Sequence, residues 1–336
     1  MNQPSKKEKV LVTGCAGLLG SHFTRHLLDS NYTVIGIDDF SGGYKDFVDD
    51  KVVLYEGNLI DTKFVNSVFF NEKPDYVYHF AAYAAVGLSP FIRKFNYMNN
   101  IIASSNIINS CINNEVKKII FTSSMDVYGS LQPPYTEEMK PIPEDPYGIA
   151  KYAIEQDLAA ASRFFGLRYS IIRPHNVFGV YQNIWDKYRN VLGIWIRKTL
   201  SDQPLTIYGD GQQIRSFSDI RYYMEPFSSL MHIGDGEIYN IGADTHMTIN
   251  SAAESFSKVA SSRGYSTSIV HLDPRDEVKV AYCDHAKAKN HLGFQDDTKF
   301  EELIDAMFSW AESQPVRPVK TMTYEIEKNM YSYWKK

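Results

Sequence analysis

Apolar residues in the first half of the chain gather into short β-branched and aliphatic runs, separated by longer stretches with helical spacing. Residues 10–13, 33–38, 52–55, 76–80, 117–122 and 169–172 read as strands. Residues 18–29, 61–71, 96–113 and 146–165 read as helices between them. The strand runs are apolar throughout and do not alternate, the mark of a sheet buried on both faces. Strands alternating with helices predict a parallel sheet of the doubly wound kind. After Pro174 the pattern changes. Aromatic, glycine and polar residues mix, with helical stretches only near 191–200, 251–262 and 300–313. The expectation is an α/β Rossmann domain over residues 1–177, with return segments near 214–245, and a smaller C-terminal substrate lobe within 178–336. No Gly/Ser/Pro linker divides them, so packed lobes are expected.

Composition narrows the class. The 336 residues carry 35 Lys plus Arg against 40 Asp plus Glu, a net charge of −5. A nucleic-acid surface needs a basic excess, and none is present. The densest basic run, Lys6-Lys7-Glu8-Lys9, reads as a solvated tail. Cys15, Cys111 and Cys283 are too few and too scattered for a disulfide framework, which points to a reducing compartment and a cytoplasmic location. No window approaches the ~18 apolar residues of a membrane helix. The N-terminal stretch is broken by glycines and makes a poor signal peptide. Cys283, His285 and His291 fit no zinc spacing, so no metal is expected.

Gly14, Gly17 and Gly20 follow the first strand and open the first helix. One glycine permits the tight turn, another lets a diphosphate approach the backbone, and the third lets helix and strand pack closely. The helix N-terminus supplies free N–H groups and partial positive charge. Asp38, at the end of the second strand, can accept the hydroxyls of an adenosine ribose and would repel a 2′-phosphate, favouring NAD over NADP. Asp39 can share that role, and Asn58 is placed to touch adenine.

Tyr147 and Lys151 stand four apart at the start of a helix, hence on one face. The chain has 23 tyrosines, and Y-x-x-x-K also occurs at Tyr324/Lys328 and Tyr331/Lys335, which read as surface pairs. Context separates Tyr147 from these. It follows Pro146, and the preceding strand ends in Thr122-Ser123-Ser124, where such sheets bind ligands. A phenol is a poor base at neutral pH, and a nearby ammonium favours its phenolate. Tyr147 can then take a proton from a substrate hydroxyl while Ser124 holds the same oxygen.

The stretches VTGCAGLLGSH, GNLID, YHFAA, FTSSMDVYG, PYGIAKYAIE, RPHNVFG and YGDGQQIRSFSD resemble the extended short-chain dehydrogenase/reductase family, in its nucleotide-sugar epimerase and dehydratase branch. They run in order from Val12 to about Asp219. The resemblance implies bound NAD, transient oxidation at a sugar carbon, usually C4, and UDP-hexose 4-epimerases as the nearest kin. Tyr147 would be the base, Lys151 would hold the nicotinamide ribose, and Ser124 would assist. Leu18, Leu19, Leu59 and Ala81 would line the cofactor. Asn176, Arg215 and Arg275 would hold a nucleotide sugar's diphosphate, and helices 96–113 and 146–165 would pair in a homodimer. Cell-surface polysaccharide synthesis is the usual setting of such enzymes. Three positions depart from the pattern. Asn58 replaces an aspartate. Arg221-Tyr222-Tyr223 replaces an acidic pair. Met125-Asp126 keeps only the second of the two acids that 4,6-dehydratases use. Asp126 is expected to touch the sugar. The rival expectations are a 4-dehydrogenase or 4,6-dehydratase releasing a 4-keto sugar, and a non-catalytic NAD-binding protein. No nucleic-acid or membrane partner is expected.

Overall fold

The computed structural model describes residues 7–335. Seven parallel strands form the central sheet: β1 Lys9–Thr13, β2 Thr33–Asp38, β3 Val53–Glu56, β4 Tyr76–His79, β5 Lys118–Thr122, β6 Tyr169–Pro174 and β7 Ile238–Ile241. Their spatial order is β3-β2-β1-β4-β5-β6-β7. The chain leaves β1 toward one edge and β4 toward the other, so a crevice opens beyond the C-terminal ends of these two neighbours. Successive residues in a strand face opposite layers. Thus Val10 and Val12 pack with Phe23 and Leu27 of α1 (Leu18–Asp29), while Leu11 packs with Val65 and Phe69 of α2 (Thr62–Glu72). The α2 face is completed by α3, residues 93–113, and α4, Pro146–Phe165.

Helix ends follow their caps. Asp61, expected inside α2, instead caps it, accepting from the backbone N–H groups of Lys63 and Phe64. Asp145 caps α4 ahead of Pro146, and Gly166 ends it in the left-handed conformation. The helix α3 begins three residues before the expected start and carries a π-turn over Met98–Ile102. At α1 the cap is Gly17, with no side chain to occupy the N-terminal N–H groups.

Past Phe178 the chain does not remain in one lobe. It returns to add β7 beside β6, and Tyr223 and Phe227 pack under the sheet. The lobe has its own core, with Trp195, Phe256 and Phe308 meeting from helices Val191–Thr199, Ile249–Ser262 and Phe300–Glu312. Lys6 of the basic run lies outside the described residues. Glu8 and Lys9 are not a free tail: Lys9 opens β1 with its Nζ 2.9 Å from a Glu72 carboxylate oxygen, and Glu8 pairs with Lys117 at 2.8 Å.

Residues 313–335 run back across the cleft. Met330 and Trp334 are buried against Leu88, Phe91 and Ile92. This corrects the surface-pair expectation. The segment is not an α-helix, so a four-residue spacing puts nothing on one face. Tyr324 Oη lies 2.9 Å from Tyr188 Oη, and Tyr331 Oη accepts from the Asp276 N–H at 3.1 Å. Among the described residues, no helix is long and apolar enough to cross a membrane.

Candidate active site

One cavity of about 1370 Å³ opens along the C-terminal ends of the strands, between the sheet and the lobe. It is lined by Gly14, Gly17, Leu18, Leu19, Gly20, Asp38, Asn58, Leu59, Ala81, Ser124, Asp126, Tyr147, Lys151, Asn176, Arg215 and Arg275. Every candidate residue from the sequence therefore faces the same space.

The glycine loop is a backbone cradle. Gly14 has φ +70°, and a Cβ there would stand 2.8 Å from the Ala81 nitrogen. A Cβ on Gly20 would lie 2.1 Å from the Gly14 carbonyl oxygen, so only glycine lets α1 pack this close to β1. With no side chain over the N-terminus of α1, its N–H groups are open to an anion. Asp38 accepts from the Ala16 N–H at 2.9 Å and the Phe40 N–H at 2.8 Å, tying the loop to the end of β2. Asp39 accepts from the Asn58 amide at 3.0 Å, so the two expected adenosine-side residues are joined. A glycine cradle with a carboxylate at the next strand end fits a dinucleotide.

Two neighbours prove to be core residues. Burial, with the Asp38 charge second, pushes the Cys15 thiol up. It is not lowered by the helix N-terminus, because the thiol is enclosed in the sheet–helix layer. His79 lies between Thr13 Oγ1 at 2.7 Å and Ser104 Oγ at 2.8 Å, and burial holds its pKa down to about 3.

The catalytic candidates sit where β5 ends and α4 begins. Lys151 donates to the Thr122 carbonyl at 2.7 Å, and its Nζ lies 5.9 Å from the Tyr147 ring centroid. Burial lowers Lys151 to about 7, opposed by Glu155 one helical turn on. Burial also raises the Tyr147 phenol. The Asp126 carboxyl adds to that rise, whereas hydrogen bonding to Ser124 and the Arg189 charge pull back. Without ligands, the pair is therefore held toward neutrality. Glu155 in turn grips Arg173 in a buried two-point pair, 2.9 and 2.6 Å, and accepts from Ser123 Oγ. This network fixes the strand end that presents Ser124. Its signal in the sequence was the i, i+4 spacing of Lys151 and Glu155.

Asp126 shows an unforeseen partner. Its Oδ2 is buried with no donor facing it, and the carboxyl beside it is Asp145. Asp145 accepts from the Tyr147 N–H at 2.8 Å and from Ser89 Oγ at 2.8 Å. Burial, then Asp145, holds the Asp126 carboxyl well above the usual range. The neutral form of Asp126, which can donate, is thereby favoured.

The lobe supplies the other wall. Asn176 has φ +44° and a buried side-chain amide nitrogen without a partner. Arg215 is tied to Glu277 at 3.0 Å and to the Val278 carbonyl at 2.6 Å. Arg275 has its guanidinium 3.5 Å from the Tyr208 ring centroid and 4.9 Å from that of Trp334, and it donates to Tyr333 Oη at 3.2 Å. Its Nη2 is buried without a partner. The tail thus positions Arg275, a role that no motif signals. Tyr181 carries the Arg25 guanidinium 4.2 Å from its ring centroid. Arg221 pairs with Asp219, and Tyr223 Oη bonds the Ile241 carbonyl. His285 bonds His175 and Asp244, and not Cys283 or His291.

The chain is similar to known proteins along most of its length. A putative UDP-glucose 4-epimerase from Methanocaldococcus jannaschii is 31% identical, covering 90% of this chain and 98% of that protein. The crystal structure of Thermotoga maritima UDP-glucose 4-epimerase with UDP-glucose superposes with a TM-score of 0.86 at 31% identity, over 90% of this chain and 98% of that one. The Thermus thermophilus UDP-glucose 4-epimerase complex with NAD gives 0.85 at 25% identity, over 91% and 99%. The sequence profile of the NAD dependent epimerase/dehydratase family matches residues 10–242. The chain belongs to the NAD-dependent epimerase/dehydratase family.

Proposed function

We propose that this protein is an NAD-dependent nucleotide-sugar 4-epimerase, acting on a UDP-hexose or a derivative of one. The observation that carries the proposal is a single cavity joining the glycine cradle, the Ser124–Tyr147–Lys151 group and the lobe arginines. Residues 1–177, with returns near 214–245, would form the cofactor half, and most of 178–336 the substrate lobe. When bound, NAD supplies the hydride acceptor and a positive charge beside the phenol. Tyr147 takes the proton from the sugar 4-hydroxyl, and Lys151 stabilises the resulting phenolate. Ser124 holds the sugar oxygen in line. Asn176, Arg215 and Arg275 hold the nucleotide's diphosphate, Arg275 through its free Nη2. Epimerisation then requires the 4-keto sugar to turn within the cavity before the hydride returns.

Asp126 is proposed to donate to a sugar oxygen. Met125 offers no acid or base beside it, which disfavours elimination across C5 and C6. Helices α3 and α4 are proposed to form a homodimer interface, supported by the exposed apolar side chains Ile102 and Ile149 on them. Three free, buried cysteines support a cytoplasmic setting. The test is incubation with UDP-, GDP-, CDP- and dTDP-sugars, followed by NMR. Two 4-epimers at equilibrium without net absorbance at 340 nm support the proposal. Accumulating NADH, or a released keto sugar, rejects it.

A further inference from the structure

Residues 181–190 connect the strand Val177–Phe178 to the helix Val191–Thr199, and both ends of this segment are strained. Tyr181 has φ +62° and Asn190 φ +64°, left-handed conformations that cost non-glycine residues energy and persist only where the surroundings impose them. The segment is fastened to the cofactor half. Asn183 Nδ2 donates to the Gly42 carbonyl at 2.9 Å, in the loop that follows Asp38. Asp186 Oδ1 accepts from the Tyr188 N–H, and its Oδ2 accepts from Arg189 Nε at 2.8 Å.

Arg189 is thereby aimed. Its side chain is 13% exposed, and its guanidinium lies 4.8 Å from the Tyr83 ring centroid. Asp186 takes only Nε. Among the described residues, neither terminal nitrogen has a hydrogen-bond partner, and the residue lines the cavity. Those two nitrogens would lie 3.4 and 3.9 Å from a Cβ built on Gly42. The next residue, Gly43, presses on the glycine loop so closely that a Cβ there would meet the Ala16 oxygen at 2.0 Å. The open fork of Arg189 therefore stands beside the backbone cradle, opposite in kind to it: a side-chain cation from the lobe facing a backbone site from the sheet. A guanidinium with two free amino groups matches the geometry of phosphate oxygens.

We propose that Arg189 is a lobe-borne clamp on the diphosphate of the bound dinucleotide. The proposal rests on NAD occupying the glycine cradle. It makes cofactor retention depend on the lobe, because Arg189, aimed by Asp186, reaches the cofactor only when Asn183 seats segment 181–190 on Gly42.

The test compares wild type with Arg189→Met and Arg189→Lys, each checked for folding by thermal melting. NAD released on denaturation is quantified, and binding of NAD, ADP-ribose and UDP to stripped protein is measured by calorimetry at two salt concentrations. Arg189→Met is expected to weaken NAD and ADP-ribose on the order of 10- to 100-fold and to flatten their salt dependence, leaving UDP within about twofold. Arg189→Lys should recover part of the loss. Unchanged NAD affinity in a folded variant overturns the proposal. So does a selective loss of UDP affinity, which would assign Arg189 to the substrate. Wild type that neither carries nor binds NAD sinks the underlying cofactor assignment, a result distinct from either.

Discussion

The proposed cofactor half and the proposed substrate lobe would each hold a diphosphate, and they are built to do so differently. In the cofactor half the donors are backbone N–H groups at the start of α1, behind glycines whose Cβ atoms would collide with the chain. The cofactor half itself supplies no arginine there, and nothing in its cradle can be adjusted without moving the sheet. In the lobe the donors are side chains. Arg215 is already engaged by Glu277, and Arg275 is held by aromatic rings from two distant segments. A backbone site is completed by folding and suits a ligand that stays. A side-chain site can exchange partners and suits a ligand that comes and goes. The contrast assigns chemistry and the preformed part of cofactor binding to one half, and substrate choice, together with the proposed Arg189 clamp, to the other.

The largest effect should come from the cofactor half. Tyr147→Phe removes the proposed base and little volume. It should lower kcat by about 10²- to 10⁴-fold, with KM and released NAD nearly unchanged. Steady-state kinetics with NAD quantified after denaturation would check this. Retained activity in a folded variant breaks the mechanism and with it the contrast. Arg275→Ala should act oppositely. It should raise KM for the nucleotide sugar about 10- to 100-fold, leave kcat within a few-fold, and leave NAD content intact. A fall in kcat equal to the rise in KM would mean that the lobe takes part in the transition state, and the division of labour would fail.

The two halves were also unequally legible. The strands and helices around the sheet could be placed within a few residues, because each strand is an unbroken apolar run and each helix has a chemical stop. Asp61, Asp145 and Gly166 are such stops. The glycine loop and the Tyr147/Lys151 pair are local patterns, so sequence spacing captured them. Arg189 and the tail escaped because their meaning lies in distant contacts. Arg189 acquires its direction from Asp186, Tyr83 and Gly42, and no period or motif joins those three. Tyr333 and Trp334 matter only because the chain folds back on Arg275. The upward shift of Asp126 comes first from burial and then from Asp145, which belongs to another element, so no local pattern signals it.

Asp126 lies where the halves meet, and a conservative change sharpens its role. Asp126→Asn keeps a donor and removes the ionisable carboxyl beside Asp145. If the neutral acid only donates to the sugar, kcat should fall less than about tenfold and KM should change by a similar factor. Unchanged turnover and binding would show that Asp126 does not touch the sugar. A loss approaching that of Tyr147→Phe would instead make it a proton-transfer group, and the substrate chemistry would then extend beyond C4.

The smallest effect concerns how dry the floor of the cofactor half is kept. Lys151 is buried, and burial lowers its pKa to about 7 from the ordinary 10.5. Between those values the unfolded chain binds the extra proton and the folded chain does not. Stability from this group therefore rises with pH above about 7, and is lost as pH falls back to it. In protein stripped of NAD, this should contribute about 2 kcal/mol between pH 7 and pH 9. Lys151→Met, close in length and without a charge to desolvate, should abolish that portion of the slope. Urea unfolding of both proteins across this range isolates the difference, since the other titrating groups cancel. Parallel profiles would mean that water already reaches Lys151 before the cofactor arrives. The cofactor half would then be as open as the lobe, and the lasting retention of its ligand would have to come from the clamp and not from a dry, preformed site.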